Sequence, residues 1–522
     1  MVVQAREREE EPAFVDRPFF VRWNDDGSSY VLTRFWVLRL LGVVYFVAFS
    51  SAMLQGPALI GEHGLLPMSP YLDAVARVSG SRLSGFFAAP SLFWISSSDN
   101  ALAIVTGLGA VLSLAVVLGV TNAAVMLVLW LLQFSLYSVG QIFWGYGWEI
   151  QLLETGMLAA VLCPLRTLRP FAAATTPRIP IWLLRWLVIR IMLGAGLIKL
   201  RGDVCWRDLT CLVTHYETQP NPSPLSWVLH QMPRSFHVFG VLFNHFVELV
   251  VPFFLFGPRR VRHIAGAFLI AFQLVLIASG NLSFLNWLTI VPALACFDDS
   301  LLVRIVPQRL RHVIEASAAR PASTFHRRVS IAYAAIVGLL SIGPVLNLFS
   351  SRQAMNASFD PLHLVNTYGA FGTVSRVRDE IVLEGTRDDP TSETAHWEEY
   401  ELPCKPGDVT RRPCLITPYH YRLDWQMWFA AMSSYEDEPW IVILTDKLLR
   451  GDPHVRTLFA KDPFANGPPP RAVRADLYRY ELTRWGDGPA WWKRKKLGEY
   501  MRPLELGDPD LETFIATHSY RR

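Results

Sequence analysis

Ionisable, thiol and aromatic side chains gather between residues 190 and 222 of this 522-residue chain. The stretch runs Arg190-Ile-Met-Leu-Gly194-Ala195-Gly196-Leu-Ile-Lys199-Leu-Arg201-Gly-Asp203-Val-Cys205-Trp206-Arg207-Asp208. It continues through Cys211 to His215-Tyr216-Glu217-Thr218-Gln219-Pro220. Lys199, His215 and Glu217 are residue types that exchange protons near neutral pH once burial shifts them, so together they can supply acid–base chemistry. Arg201, Asp203, Trp206, Asp208, Tyr216 and Gln219 add donors, acceptors and aromatic faces for a client or ligand. The same residues also fit a structural cap. In that reading Lys199 snorkels to the water interface, Trp206 anchors there, and the acids pair with Arg201 and Arg207. Under either reading the loop is too bulky and too proline-rich for a plain linker. Cys205 and Cys211 lie outside the C-x-x-C spacing of thiol exchange.

Further charges fall inside apolar runs: Glu154, Arg190, His245 and Glu248. Such groups are costly in a membrane and mark function or internal pairing. A Glu248–Arg190 pair is the expectation. His245 and Glu248 share one helix face, but two ligands do not make a metal site, and none is expected. The chain lacks a phosphate loop, a G-x-S-x-G elbow, an H-E-x-x-H pair and a dinucleotide fingerprint. Asp298-Asp299 is expected as a solvated helix end.

These residues must be positioned by helices in a membrane. Apolar residues make up 51% of the chain and charged residues 18%; soluble chains carry about 25% charge. Mean hydropathy is +0.25. So much apolar surface excludes a disordered chain. A net charge of +4 excludes a nucleic-acid binder, and six cysteines do not make a disulfide scaffold. Runs near 35–54, 101–118, 122–139, 150–165, 181–198, 238–256, 264–279, 282–297 and 329–349 predict about nine spans. Gly280 and Asn281 alone separate the short seventh and eighth, so eight is the rival count. The fold class expected is a polytopic α-helical membrane bundle with a C-terminal extracytoplasmic β-rich mixed α+β domain. Its parts are a cytosolic disordered tail at 1–33, a helical domain at 34–350 with an outer loop at 199–237, and the outer domain at 351–522.

Placing the N-terminus inside puts 17 arginines in inner segments against six lysines and arginines in outer ones, the orientation that basic loops favour. With nine spans the last domain is then outside. The close pairs Cys205/Cys211 and Cys404/Cys414 also fall outside, where oxidising conditions favour disulfides. Asn356-Ala-Ser358 is a glycosylation acceptor on that side.

In the outer domain, strands are expected over 371–385, 396–404 and 471–483, helices over 422–432 and 439–449, and a loop over 462–470. Trp397, Trp425, Trp428, Trp440, Trp485, Trp491 and Trp492 divide between core and a partner-binding surface. Trp491-Trp492-Lys493-Arg494-Lys495-Lys496 also suits an anionic lipid surface.

Four stretches resemble the lipase maturation factor family. They are Arg190 to Trp227, Trp148-Glu149-Ile-Gln-Leu-Leu-Glu154-Thr-Gly156, Val365-Asn366-Thr-Tyr368-Gly-Ala-Phe371-Gly, and Tyr419-His420-Tyr-Arg422-Leu-Asp424-Trp425-Gln426. The resemblance implies a membrane folding factor that helps secreted lipases, notably homodimeric lipoprotein-lipase-type enzymes, reach an active state. It implies no cofactor, and adds Tyr368, Asp424 and Trp425 to the client-binding candidates. Its location is the endoplasmic reticulum membrane in a eukaryote or the cell membrane in a bacterium, with membrane lipid as the other partner. A shorter segment, Ala195-Gly-Leu-Ile-Lys199-Leu, is similar to the region of vitamin K-dependent carboxylases that carries their essential lysine. That similarity implies an alternative: a membrane-embedded enzyme with Lys199 as base and a lipid- or quinone-like ligand.

Overall fold

The computed structural model describes residues 29–518 except 166, 170, 172 and 173. Most of the expected cytosolic tail, residues 1–28, lies outside them. Apolar helices form at each of the stretches read from hydropathy: α1 (Val31–Ile60), α2 (Asp99–Leu118), α3 (Ala123–Val139), α4 (Gly147–Leu162), α5 (Arg178–Arg201), α6 (Arg234–Phe254), α7 (Arg259–Ser279), α8 (Leu285–Cys296) and α9 (Thr324–Phe349). Six of them (α1, α2, α5, α6, α7 and α9) are long and apolar enough to cross a membrane. α3, α4 and α8 are shorter.

Local chemistry sets these ends. Ser98 accepts the Ala101 N–H to start α2, and Gly119, at φ +104°, stops it. Asn122 then caps α3 through the Val125 N–H. A Cβ at Gly109 would overlap Phe49 of α1, so glycine there lets α1 and α2 close together.

Hydrogen bonds sort the helix ends onto two faces. On one face, the Asp299 carboxylate accepts the N–H groups of Val31 and Leu32 at 2.9 and 2.8 Å, Thr33 donates to the Phe297 carbonyl, and His326 meets the Val161 carbonyl. Asp298 on this face is fully buried and faces Arg259, Arg262 and His263. The expectation of a solvated end at 298–299 is therefore wrong. The pair caps α1 and ties α7 to the end of α8, satisfying donors that a bilayer would leave bare.

The other face carries the sheet domain. Its four antiparallel strands run in the order β2-β1-β3-β4: β1 (Arg378–Thr386), β2 (Glu398–Glu399), β3 (Ala472–Leu482) and β4 (Trp492–Glu505). Ile381 pairs with Leu477, and Tyr480 with Arg494. Helices Arg422–Ala430 and Pro439–Leu449 pack on β1 and β3. One hydrophobic core runs unbroken from Val37 in α1 to Leu504 in β4.

Three strand expectations change. Residues 371–377 are not strand. The strand over 396–404 shrinks to two residues plus a bridge at Glu401, because Pro403 cannot donate to a ladder and Cys404 is held by a disulfide. β4 is an added strand, hidden in the sequence by the polar run Lys493–Lys496. Trp492 is buried within it rather than lying on lipid.

Candidate functional site

The sheet domain is fastened to the helices by buried charge, and each fastening uses a motif residue. In α4, Glu154 forms an ion pair with Arg190 of α5, both almost fully buried. The Arg190 guanidinium also donates to the Asn366 carbonyl at 2.7 Å, and Tyr368 donates its hydroxyl to Glu154 at 2.7 Å. One turn earlier, Glu149 pairs with Arg422 of the outer domain at 2.9 Å, with neither side chain exposed. Arg422 donates to the Phe143 carbonyl and lies over the Trp144 ring at 3.9 Å. Isolated charges at these depths would cost several kcal/mol each, so only tight pairing permits them.

Lys199 is not snorkelling as expected, and it takes the Glu248 partner expected for Arg190. The residue is 4% exposed; its ammonium lies 2.5 Å from the Glu248 carboxylate and donates to Asn244 at 3.2 Å. Asn244 in turn donates to Glu248 at 2.8 Å. Glu248 thus belongs to Lys199, and Arg190 to Glu154. Glu248 sits where α6 widens into a π-type turn at Phe246–Val250. Pro252 supplies the reason: it has no N–H to return to the Glu248 carbonyl. Gly196 brings α6 close to α5, whereas Gly194 admits the Tyr368 carbonyl of the outer domain rather than a helix. The Lys199 ammonium donates to Glu248 and Asn244, which holds α5 against α6.

The remaining predicted residues divide by role. Arg201 donates to Gln353 and to the Leu348 carbonyl, both at 2.7 Å. Asp203 caps the short helix Val204–Arg207 and pairs with Arg376 at 2.9 Å, not with Arg201 or Arg207. Trp206 is buried and donates to the Phe371 carbonyl at 2.8 Å, so it is not an interface anchor. Asp208 is exposed. His215 is buried against Phe371; burial, and then the Lys199 charge, lower its pKa to about 4. Tyr216 packs on His237. Gln219 donates to Ser226 and to the Ser279 carbonyl and is structural. Cys205 is bonded to Cys211 and Cys404 to Cys414, while Cys163 and Cys296 are free and buried.

Asp424 is buried and accepts the N–H groups of Cys404 and Lys405 at 2.7 and 2.8 Å, which orders the second disulfide loop. Burial raises its pKa to about 6 against the pull of those donors. Trp425 lies in a cage with Tyr146, Trp148 and His420. Trp425, Trp440 and Trp492 are core, while Trp485 is 62% exposed.

Glu217 faces away from Lys199. Its carboxylate accepts the Leu482 N–H at 2.7 Å and lines a cleft of about 620 Å³ between the outer loop and the sheet. Arg378, buried and paired with Glu380 at 2.6 Å, donates from β1 to the carbonyls of Glu217, Gln219 and Pro220. Arg234, His230, Arg376, Arg479 and Arg484 complete the rim. Sequence reading missed Arg378 and Arg422 as fasteners and Arg234, His230, His237 and Arg484 as cleft residues. The signals were Arg422's place in the Tyr419–Gln426 motif and, for Arg378, an arginine at an inward position of β1.

A helical bundle whose one face carries a disulfide-closed loop, and a sheet domain locked to it by buried ion pairs, defines a multi-pass membrane protein with a fixed extramembrane surface. The chain belongs to the lipase maturation factor family. Residues 32–304 match the lipase maturation factor transmembrane domain and residues 364–502 the lipase maturation factor C-terminal domain. It is 49% identical over 509 residues to Lipase maturation factor 1 of Bos taurus, covering 92% of this chain and 90% of that one. Lipase maturation factor 1 of Homo sapiens is 48% identical, covering 92% and 89%. Lipase maturation factor 2 of Mus musculus is 30% identical, covering 92% and 84%. No solved structure matches.

Proposed function

We propose that this chain is a membrane-bound maturation factor for secreted lipases that works from the extracytoplasmic side, with all nine apolar helices crossing the bilayer. Homodimeric lipases of the lipoprotein-lipase type are its clients. The observation that carries the reading is the buried Glu149–Arg422 pair with the Glu154–Arg190–Tyr368 cluster. Fasteners of this kind hold a client-facing domain at fixed height above the membrane. The two disulfides on that face support an oxidising compartment, and the inner arginines support the same orientation. In a eukaryotic host the membrane is that of the endoplasmic reticulum. Folding assistance requires surface and placement, and no covalent step.

The test is the activity per unit mass of a secreted dimeric lipase expressed with and without the chain. A rise in specific activity supports the reading, and equal specific activity contradicts it. For orientation, a cysteine reporter at Asp208 should react with an impermeant maleimide added from the outer side only.

A further inference from the structure

The 620 Å³ cleft has walls from both domains, and its charges are unequally committed. Arg376 is bound to Asp203, Arg479 to Asp379, and Arg378 to Glu380 and three carbonyls. Glu217 holds the Leu482 N–H. Among the described residues, no hydrogen bond or ion pair engages the exposed guanidinium groups of Arg234, on the helical wall, and Arg484, on the sheet wall, although Asp487 lies close enough to Arg484 to feel its charge. His237, also in the lining, is only 3% exposed, with the Met232 backbone within reach of its ring and no hydrogen bond to its Nδ1 among the described residues. The Nδ1 of His230 is also buried and unpartnered. A buried polar nitrogen left without a partner in a cleft points to a group that arrives from outside.

Next to Arg484 in the sequence, outside the cleft lining, comes Trp485, the exposed indole at the tip of the β3–β4 hairpin, braced edge-on by Trp227 at 4.4 Å. Gly486 and Gly488, at φ +90° and +105°, make that tip. Exposed tryptophan next to unpaired arginine is the composition of protein-binding hot spots. We propose that this cleft binds an acidic segment of the secreted client, with carboxylates on Arg234 and Arg484, a polar group on His237, and an apolar neighbour on Trp485. The inference rests on the maturation-factor reading and supplies its recognition chemistry. A peptide is favoured over a lipid phosphate because the cleft has room for several residues and an exposed tryptophan follows Arg484 at its edge.

The test uses the purified full chain in detergent and a fluorescein-labelled peptide of alternating glutamate and leucine, followed by anisotropy at low salt. Arg234→Gln/Arg484→Gln should weaken binding about tenfold or more, and Trp485→Ala should weaken it measurably. Lys495→Gln/Arg502→Gln, which removes equal charge elsewhere on the sheet domain, should leave binding within about twofold. Unchanged peptide binding in the Arg234/Arg484 variant overturns the proposal. So does loss of binding to phosphatidylglycerol vesicles, but not to peptide, in that variant, which would make the cleft a headgroup site. The peptide assay involves no lipase, so its failure speaks against the cleft alone. Absence of a lipase effect with the intact chain speaks against the maturation-factor reading alone.

Discussion

Replacing Lys199 by alanine separates positioning from catalysis. Lys199 and Glu248 are both almost fully buried and 2.5 Å apart, and Asn244 bridges them. Removing one partner leaves an uncompensated carboxylate in a low-dielectric interior, a loss of about 3–5 kcal/mol. Glu248→Ala should cost a similar amount for the opposite reason. Lys199→Met/Glu248→Met removes both charges at similar volume and should be within about 1–2 kcal/mol of the parent. The energies are thus strongly non-additive, and the double variant is more stable than either single one. The assay is thermal unfolding in detergent beside the specific activity of a co-expressed lipase, normalised to folded chain. The account predicts that lipase activity follows the folded fraction in all three variants. A Lys199→Ala chain that keeps its stability and loses all activity would refute the reasoning and make Lys199 a catalytic base.

The histidines predict acid sensitivity. His215 has its pKa lowered to about 4 by burial and then by Lys199, and His420 is pushed well below 6.5 by burial and then by Arg422. A depressed pKa gives stability that is complete above the unfolded value of about 6.5 and lost as pH falls toward the folded value. Asp424, raised to about 6 by burial, acts in the opposite sense: it favours the fold at low pH and loses that contribution as pH rises through 6. Burial lowers His230 and His363 in the same way and raises Glu217 and Glu384 along with Asp424, so the histidines outnumber the opposing acids, the thermal midpoint should fall between pH 7 and pH 5, and His215→Gln should flatten the slope. Gly194→Ala sets a methyl against the Tyr368 carbonyl and should destabilise by about 1–3 kcal/mol, read as reduced folded yield. Cys404→Ser/Cys414→Ser opens a short loop and should cost about 3 kcal/mol, with the loss seen as earlier proteolysis of the sheet domain.

The helices were legible because a bilayer demands long apolar runs, and hydropathy marks them without knowledge of their neighbours. Pro439–Leu449 fell where its periodicity placed it. β4 was not legible, since Lys493, Arg494, Lys495 and Lys496 obscure the pattern that Trp492, Met501 and Leu504 make as core residues. The loop at 199–222 was visible as unusual, and its cysteines as a pair. What it touches was not visible. Glu248 lies 49 residues from Lys199, and Leu482 lies 265 residues from Glu217, and no periodicity spans such separations. Lys199 looked like an interface residue because it ends an apolar run. Its burial is decided by the π-type turn that Pro252 imposes on the facing helix and by the sheet domain closing over Trp206.

The central claim is that this chain raises the yield of active secreted lipase by presenting a fixed outer surface. The most direct measurement is the specific activity of a secreted dimeric lipase in cells lacking any endogenous maturation factor. Cells would receive the intact chain, Arg422→Met, which removes one fastener of the sheet domain and leaves Glu149 buried without its partner, or nothing. The account predicts high specific activity with the intact chain and near-background values for the other two. Equal specific activity with and without the intact chain would contradict it.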